Sequence, residues 1–292
     1  MDFSELVPLA GGWSGETFLA EAGGERSVVR IYAPGRRDDA APEIDAAVLR
    51  LVRGLVPVPD VLEVRRGVAA AGQPGLLVTS HLPGVRGEDL LPTLDDDRLA
   101  AVGRRLGDLL ADLAGMPTLR AGPFIDPDLA IGDFGVEGLP GFVDDNAAGL
   151  AWDAALLRGL GQVAVRAQEL LDGSGRTCLV HSDANPKNLL VDPETLEVTG
   201  LLDWEFAHSG HPFTDLGNLL RFDRMPAYLD AVLAAWCGRR GGTPESALEH
   251  ARAADLWALV DLAARAGENP VADRANEHLM AIARTGDLHA LP

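Results

Sequence analysis

Residues 181–188, His181-Ser182-Asp183-Ala184-Asn185-Pro186-Lys187-Asn188, form the densest group of chemically capable side chains in the 292-residue chain. Short apolar stretches frame it, Thr177 to Val180 before and Leu189 to Val191 after, and a third, Val198 to Leu202, delivers Asp203-Trp204-Glu205. Carboxylates and an amide therefore sit at predicted strand ends. Phosphoryl transfer asks little covalent chemistry of a protein: one carboxylate must orient the attacking hydroxyl, and further oxygens must hold Mg²⁺ on the phosphates. Asp183, Asn188 and Asp203 supply such a set. Lys187 is the sole lysine among 25 basic residues, the others being arginine, which singles it out as a point charge for a γ-phosphate.

Other chemistries fit less well. His208 and His211 with Asp183 and Asp215 could be assembled into a metal hydrolase site, because imidazole and carboxylate are common ligands. The chain has no HExxH or HxHxD pairing to support it, no GxSxG elbow for a serine hydrolase and no GxGxxG coenzyme unit. Cys178 and Cys237 are too few for a disulfide framework or a cysteine zinc site and read as two reduced thiols. A formal charge of −19 argues against a nucleic-acid partner, which needs a basic footprint. The chain lacks an apolar run of the roughly 20 residues that cross a bilayer, and its first residues carry acids where a signal peptide carries bases, so no membrane partner and a cytoplasmic location are expected.

The elements that must position the cluster fall into two unequal parts. The first opens with strand-like Glu16 to Glu21 and Ser27 to Tyr32, joined across Ala22-Gly23-Gly24-Glu25, a tight hairpin turn. A helix over Glu43 to Arg53 follows, with Ile44, Ala47, Val48 and Leu51 on one face, then strands near Val61 to Val64 and Leu76 to Thr79. From Leu82-Pro83-Gly84 the pattern turns helical. Asp95 is placed to cap a helix carrying Leu99, Val102, Leu106, Leu109 and Leu113 at the 3.6-residue period. Gly- and Pro-rich residues 117–141 read as an irregular loop, and 147–171 as a single helix. Thr243 and Pro244 open one of the C-terminal helices.

On these motifs, H-x-D-x-x-x-x-N followed by a hydrophobic-Leu-Asp, the chain resembles the aminoglycoside phosphotransferase family along nearly its whole length. The resemblance implies an α+β, bilobal, protein-kinase-like fold: a small sheet-rich nucleotide-binding lobe with hinge over residues 1–83 and a larger, mostly helical catalytic and acceptor-binding lobe over 84–292. It implies an ATP- or GTP-dependent, Mg²⁺-dependent small-molecule kinase. Asp183 becomes the catalytic carboxylate, Asn188 and Asp203 the Mg²⁺ ligands, His181 a scaffold of the catalytic loop, and Asp215 an anchor accepting hydrogen bonds from that loop. The family often has Gly-Asp-Pro upstream of Asp215, where this chain has Gly210-His211-Pro212. Leu9 to Glu16 is similar to a kinase glycine-rich loop, with Gly12, Ser14 and Gly15 approaching phosphates. Arg30 stands where the family commonly has lysine, with Asp45 of the following helix as its expected partner and Glu43 as the fallback. Residues 79–84 resemble the interlobe hinge, with Ser80 and Leu82 backbone groups toward adenine.

Acid is unevenly spread. Residues 1–83 hold 11 acids against 8 arginines, whereas 84–292 hold 33 against 17 bases. A surface of that sign attracts cations. It points to a polycationic acceptor, an aminoglycoside or basic cyclic peptide antibiotic inactivated by phosphorylation, with Glu205, Asp144 and Glu268 as acceptor-side acids. Homoserine-, choline- and methylthioribose-type metabolic kinases and macrolide kinases share the motif set, and the lysine-to-arginine change at Arg30 leaves open a catalytically inactive nucleotide-binding module.

Overall fold

The computed structural model describes residues 5–9 and 15–292. Its N-terminal part is an antiparallel five-stranded sheet built from β1 (Glu5–Leu9), β2 (Gly15–Ala22), β3 (Glu25–Tyr32), β4 (Val61–Arg65) and β5 (Gly75–Ser80), in the order β1-β2-β3-β5-β4. The hairpin between β2 and β3 turns through Gly23 and Gly24, both at positive φ (64° and 84°), which is why two glycines stand there. Period-two alternation then puts Val28, Arg30 and Tyr32 on one face of β3. Helix α1 (Ala41–Val52) packs behind the sheet through Ile44, Val48, Leu49 and Val52, and it buries one acid, Asp45, on the same side.

After β5, β6 (Val85–Arg86) and a short α2 (Gly87–Leu90) lead into α3 (Asp96–Leu113), whose Asp95 cap accepts from the Arg98 amide at 2.9 Å. Two-residue strands β7 (Pro117–Thr118) and β8 (Gly122–Pro123) lie within the segment expected to be irregular. The helix expected over 147–171 is instead two, α4 (Gly138–Leu150) and α5 (Ala154–Asp172). Ala151 in the left-handed region breaks the first, and Asp153 caps the second through the Ala155 and Leu156 amides, so local capping overrides an unbroken apolar periodicity. Strands β9 (Thr177–Val180), β10 (Leu189–Val191), β11 (Val198–Leu201) and β12 (His208–Gly210) carry the polar clusters, followed by helices α6 (Thr214–Leu220), α7 (Pro226–Arg240), α8 (Pro244–Ala263) and α9 (Pro270–Thr285). Among the described residues no helix is long and apolar enough to cross a membrane.

The loop after β9 is fixed by α6. Asp215, in the first turn of α6 and 4% exposed, accepts from the His181 amide at 2.9 Å and the Ser182 amide at 2.7 Å. Ser182 sits at φ 67°, a strained conformation for a residue with a side chain, and the second of these bonds holds it there. Burial pushes the Asp215 carboxyl above the usual range, opposed by His181 and by the two amides. Asp215→Ala removes both acceptors and should destabilise the protein by about 2–5 kcal/mol, read by denaturant unfolding; a loss under about 1 kcal/mol would mean that the loop is held by something else.

The contact between α3 and α7 generates a second expectation. A Cβ at Gly107 would lie 2.4 Å from the Val232 carbonyl oxygen and 2.8 Å from Ala235 Cβ, so α7 packs directly on the α3 backbone. Gly107→Ala should cost roughly 1–3 kcal/mol through forced separation despite a better helix propensity. Gly161, in the middle of α5 with nothing within 4 Å, is the control: Gly161→Ala should stabilise by about 0.5–1 kcal/mol. Thermal unfolding of the pair checks the opposite signs.

Candidate active site

Strands β9 and β10 deliver the loop 181–188, and β11 delivers Asp203 opposite it. The Asp183 carboxylate is held at both oxygens: Asn185 Nδ2 donates to Oδ1 at 2.6 Å, Asn188 Nδ2 donates to Oδ2 at 2.8 Å, and the Lys187 ammonium lies 3.1 Å from Oδ2. With 18% of its side chain exposed, Asp183 is oriented yet reachable. A carboxylate so fixed can accept a hydrogen bond from a hydroxyl without reorganising. Asn185, which holds the Asp183 carboxylate, was missed by the sequence reading; the signal for it was a second amide two residues after Asp183.

His181 joins the two halves of the site. Its Nδ1 accepts from the Asp183 amide at 3.2 Å, which makes Nε2–H the donor to the Leu202 carbonyl at 2.8 Å. The ring also meets Trp204 edge-on, with centroids 4.6 Å apart. The Leu202 amide donates to the Asn188 carbonyl at 2.8 Å, so Asp203 is indexed to the 181–188 loop through both backbone groups of Leu202. Asp203 itself is at φ 65° and serves as the N-cap position of a 3₁₀ turn over Trp204–Phe206. Because the Asn188 amide nitrogen is used on Asp183, its Oδ1 is turned away from that carboxylate. Asn188 Oδ1 and Asp203 are hard oxygen donors of the kind Mg²⁺ takes from a protein when phosphates and water supply the rest.

A cavity of about 380 Å³ runs from this pair to the sheet, lined by Val28, Arg30, Leu82, Lys187, Asn188 and Asp203 among others. Ser80 lines it too, with its amide and hydroxyl committed to the backbone of Asp60, at 2.8 and 2.9 Å. Gly15 has a structural reason to be glycine: a Cβ there would lie 2.1 Å from the Ile31 carbonyl oxygen. Gly12 and Ser14 lie outside the described residues.

The expected Arg30–Asp45 pair does not form. Arg30 Nη1 donates to Asp203 Oδ1 and Nη2 to Glu205 Oε2, each at 2.7 Å. Burial opposes the Arg30 charge, but Asp203, Tyr32 and Glu205 hold its proton affinity well above the ordinary value. Asp45 is taken by Arg37, at 2.8 and 3.0 Å, and by the Tyr32 hydroxyl at 2.6 Å; the fallback Glu43 pairs with Arg66 at 3.0 Å. Helical register placed Asp45 on the correct face, but Arg37, from the connection between β3 and α1, reaches it instead. Glu205 is also corrected: its side chain is 4% exposed and ion-paired to Arg30, so it is an internally paired acid and not one presented to an acceptor. Asp144, on α4, and Glu268, between α8 and α9, are exposed.

The histidines imagined as hydrolase ligands do not converge. His208 donates from Nδ1 to the Phe206 carbonyl at 2.9 Å and packs on Phe134, whereas His211 faces the Leu171 carbonyl at 3.2 Å. Among the described residues no group of three or more His, Cys, Asp or Glu side chains is placed to hold a metal ion.

Comparison with known proteins agrees with this geometry. Residues 5–250 match the model of the phosphotransferase enzyme family. Mouse acyl-CoA dehydrogenase family member 10 is 28% identical over 224 residues, 73% of this chain and 20% of that protein, and mouse family member 11 is 30% identical over 95 residues, 26% of this chain and 12% of that protein. The chain thus spans a fifth or less of the length of these curated relatives. The crystal structure of aminoglycoside phosphotransferase APH(4)-Ia matches with a TM-score of 0.70 at 21% identity, covering 98% of this chain and 95% of that one. The GDP complex of aminoglycoside 2'-phosphotransferase-IIIa matches at 0.68 and 17%, covering 98% and 94%. The fold is therefore the α+β kinase-like fold of these enzymes, and the chain belongs to the phosphotransferase enzyme family.

Proposed function

We propose that the protein transfers the γ-phosphoryl group of ATP or GTP, with Mg²⁺, to a hydroxyl of a small molecule. The observation that carries this reading is the Asp183 carboxylate, gripped at both oxygens by Asn185, Asn188 and Lys187 beside the oxygen pair Asn188 and Asp203. A Mg²⁺ ion held by Asn188 and Asp203 would neutralise charge on the phosphates. Asp183 orients the acceptor hydroxyl and takes up its proton as the bond to phosphorus forms. Lys187 and Arg30 line the cavity as cations toward the transferring group, and residues 1–83 act as the nucleotide lobe against a catalytic lobe from 84 onward. The structural relatives titled as complexes with ADP and hygromycin B and with GDP support nucleotide use here.

For the acceptor, the reading from charge is a cationic antibiotic, supported by the net charge of −19 and by the hygromycin B complex of a relative. Exposed acids such as Asp144 and Glu268 would supply the attraction. One observation favours a second reading, an acceptor with an acidic group. Arg221, Arg224, Arg252 and Arg274 gather at the end of α6, on α8 and on α9, yet among the described residues only Arg221 has a carboxylate partner, Asp255, at 2.7 Å. Arg224 donates to His278 at 2.8 Å, Arg252 to the Leu220 carbonyl, and Arg274 lies over the Phe222 ring. Burial and the neighbouring Arg224 push Arg252 down to about 10, the signature of under-compensated positive charge.

Acceptor-dependent release of ADP or GDP, screened over aminoglycosides, basic peptide antibiotics, neutral polyols and hydroxy acids at two salt concentrations, separates these readings. A cationic acceptor should show a KM that rises with salt and is unaffected by Arg274→Gln; an acidic acceptor should lose affinity in that variant. Phosphate release independent of every acceptor would reject the kinase reading. Asp183→Asn should lower turnover by about 10²–10⁴-fold while ADP affinity, measured by calorimetry, stays within about threefold. Near wild-type turnover would remove Asp183 from the mechanism.

A further inference from the structure

The cation on β3 and the carboxylate after β11 are parts of one row of alternating charge. Asp45 on α1 binds Arg37; Arg37 also donates to the Glu205 carbonyl at 3.3 Å and lies 3.8 Å from Glu205 Oε2. Glu205 holds Arg30, and Arg30 reaches Asp203. The Tyr32 ring lies under both guanidiniums, 5.3 Å from Arg30 and 5.7 Å from Arg37. Among the described residues Arg30 thus has two acidic partners of unequal character. Glu205 is 4% exposed and Asp203 30% exposed. A buried carboxylate stripped of its cation is strongly penalised, whereas a part-exposed one can exchange partners with solvent ions at modest cost.

We propose that Glu205 is the positioning acid for Arg30, and that metal–nucleotide binding exchanges the Arg30–Asp203 contact for an Arg30–phosphate contact while Glu205 keeps its hold. A guanidinium suits that exchange because one edge can stay bound while the other changes partner. A divalent cation arriving at Asp203 repels Arg30, and the nearest anions left for that edge are the phosphates the cation brings. In the ligand-free protein Arg30 therefore competes with metal for Asp203. This inference rests on the nucleotide-dependent reading above.

The exchange predicts effects of opposite sign for one substitution. Arg30→Lys, whose single ammonium cannot span both acids, should tighten Mn²⁺ binding to the nucleotide-free protein several-fold, with free Mn²⁺ counted by electron paramagnetic resonance, and weaken ADP binding measured by calorimetry. A merely structural role would weaken both, and unchanged or weaker Mn²⁺ binding overturns the exchange. A double-mutant cycle on ADP affinity tests the positioning acid: Arg30→Ala and Glu205→Gln should be non-additive by about fivefold or more, with and without Mg²⁺, while Arg30→Ala and Asp45→Asn are closer to additive. Additivity of Arg30 with Glu205, or coupling seen only when Mg²⁺ is present, which would make Glu205 a metal ligand, overturns it. If the wild type binds no ADP, the nucleotide reading itself fails and this inference falls with it. If it binds ADP and the cycle is additive, the inference alone fails.

Discussion

The part of the structure on which the rest depends is the row of five charges from Asp45 through Arg37, Glu205 and Arg30 to Asp203. Each inner member sits between two of the opposite sign, so the cost of taking it out of water is offset on both sides, which an isolated buried pair cannot achieve. The row ties three separate stretches of chain together: helix α1, strand β3 and the turn after β11. It is also where the sheet meets the turn after β11, and Arg30, Asp45 and Asp203 all line the cavity. Tyr32 completes the arrangement by offering its hydroxyl to Asp45 and its ring face to the two arginines.

Rigidity on the catalytic side has a different origin. Two residues with side chains, Ser182 and Asp203, occupy left-handed backbone conformations at the ends of β9 and β11, each costing of the order of 1–2 kcal/mol. Neither would persist without support. Asp215 supplies it for Ser182 through the backbone, and the His181–Leu202 bond with the Leu202–Asn188 bond supplies it next to Asp203. The backbone around Asp183 and Asp203 is therefore ordered in folding, and the entropy of ordering it is spent there.

Much of this was legible in the sequence wherever chemistry and spacing are local. Asp183 and Asn188 lie five residues apart in one loop, so their meeting follows from the loop, whereas the anchoring role of Asp215 was legible only through the family resemblance. The Gly23-Gly24 turn was legible because it too is local. What failed was partner choice over long sequence separations. Helical register says that Asp45 faces inward, but not that Arg37 will reach it before Arg30 does, because that depends on how residues 33–40 cross the sheet edge. The acid count failed similarly for Glu205: a regional excess of carboxylates does not say which are consumed internally. The split of the 147–171 segment turned on one cap, Asp153, which apolar periodicity does not register.

The arginine at position 30 is best understood together with Glu205. A lysine at that position suits a single acid, since an ammonium is a compact charge on a flexible stem, and one such acid on α1 would satisfy it. Here the α1 acid is already held by Arg37 and Tyr32. The β3 cation must then draw its counter-charge from the far side of the cleft, where two carboxylates stand two residues apart on the turn after β11. Only a forked donor meets both at 2.7 Å. An arginine on β3, Asp45 engaged by Arg37, and a buried Glu205 beside Asp203 are thus three parts of one ion-pair network. The residue that read in the sequence as a departure from the family pattern joins, in three dimensions, the sheet to the turn after β11.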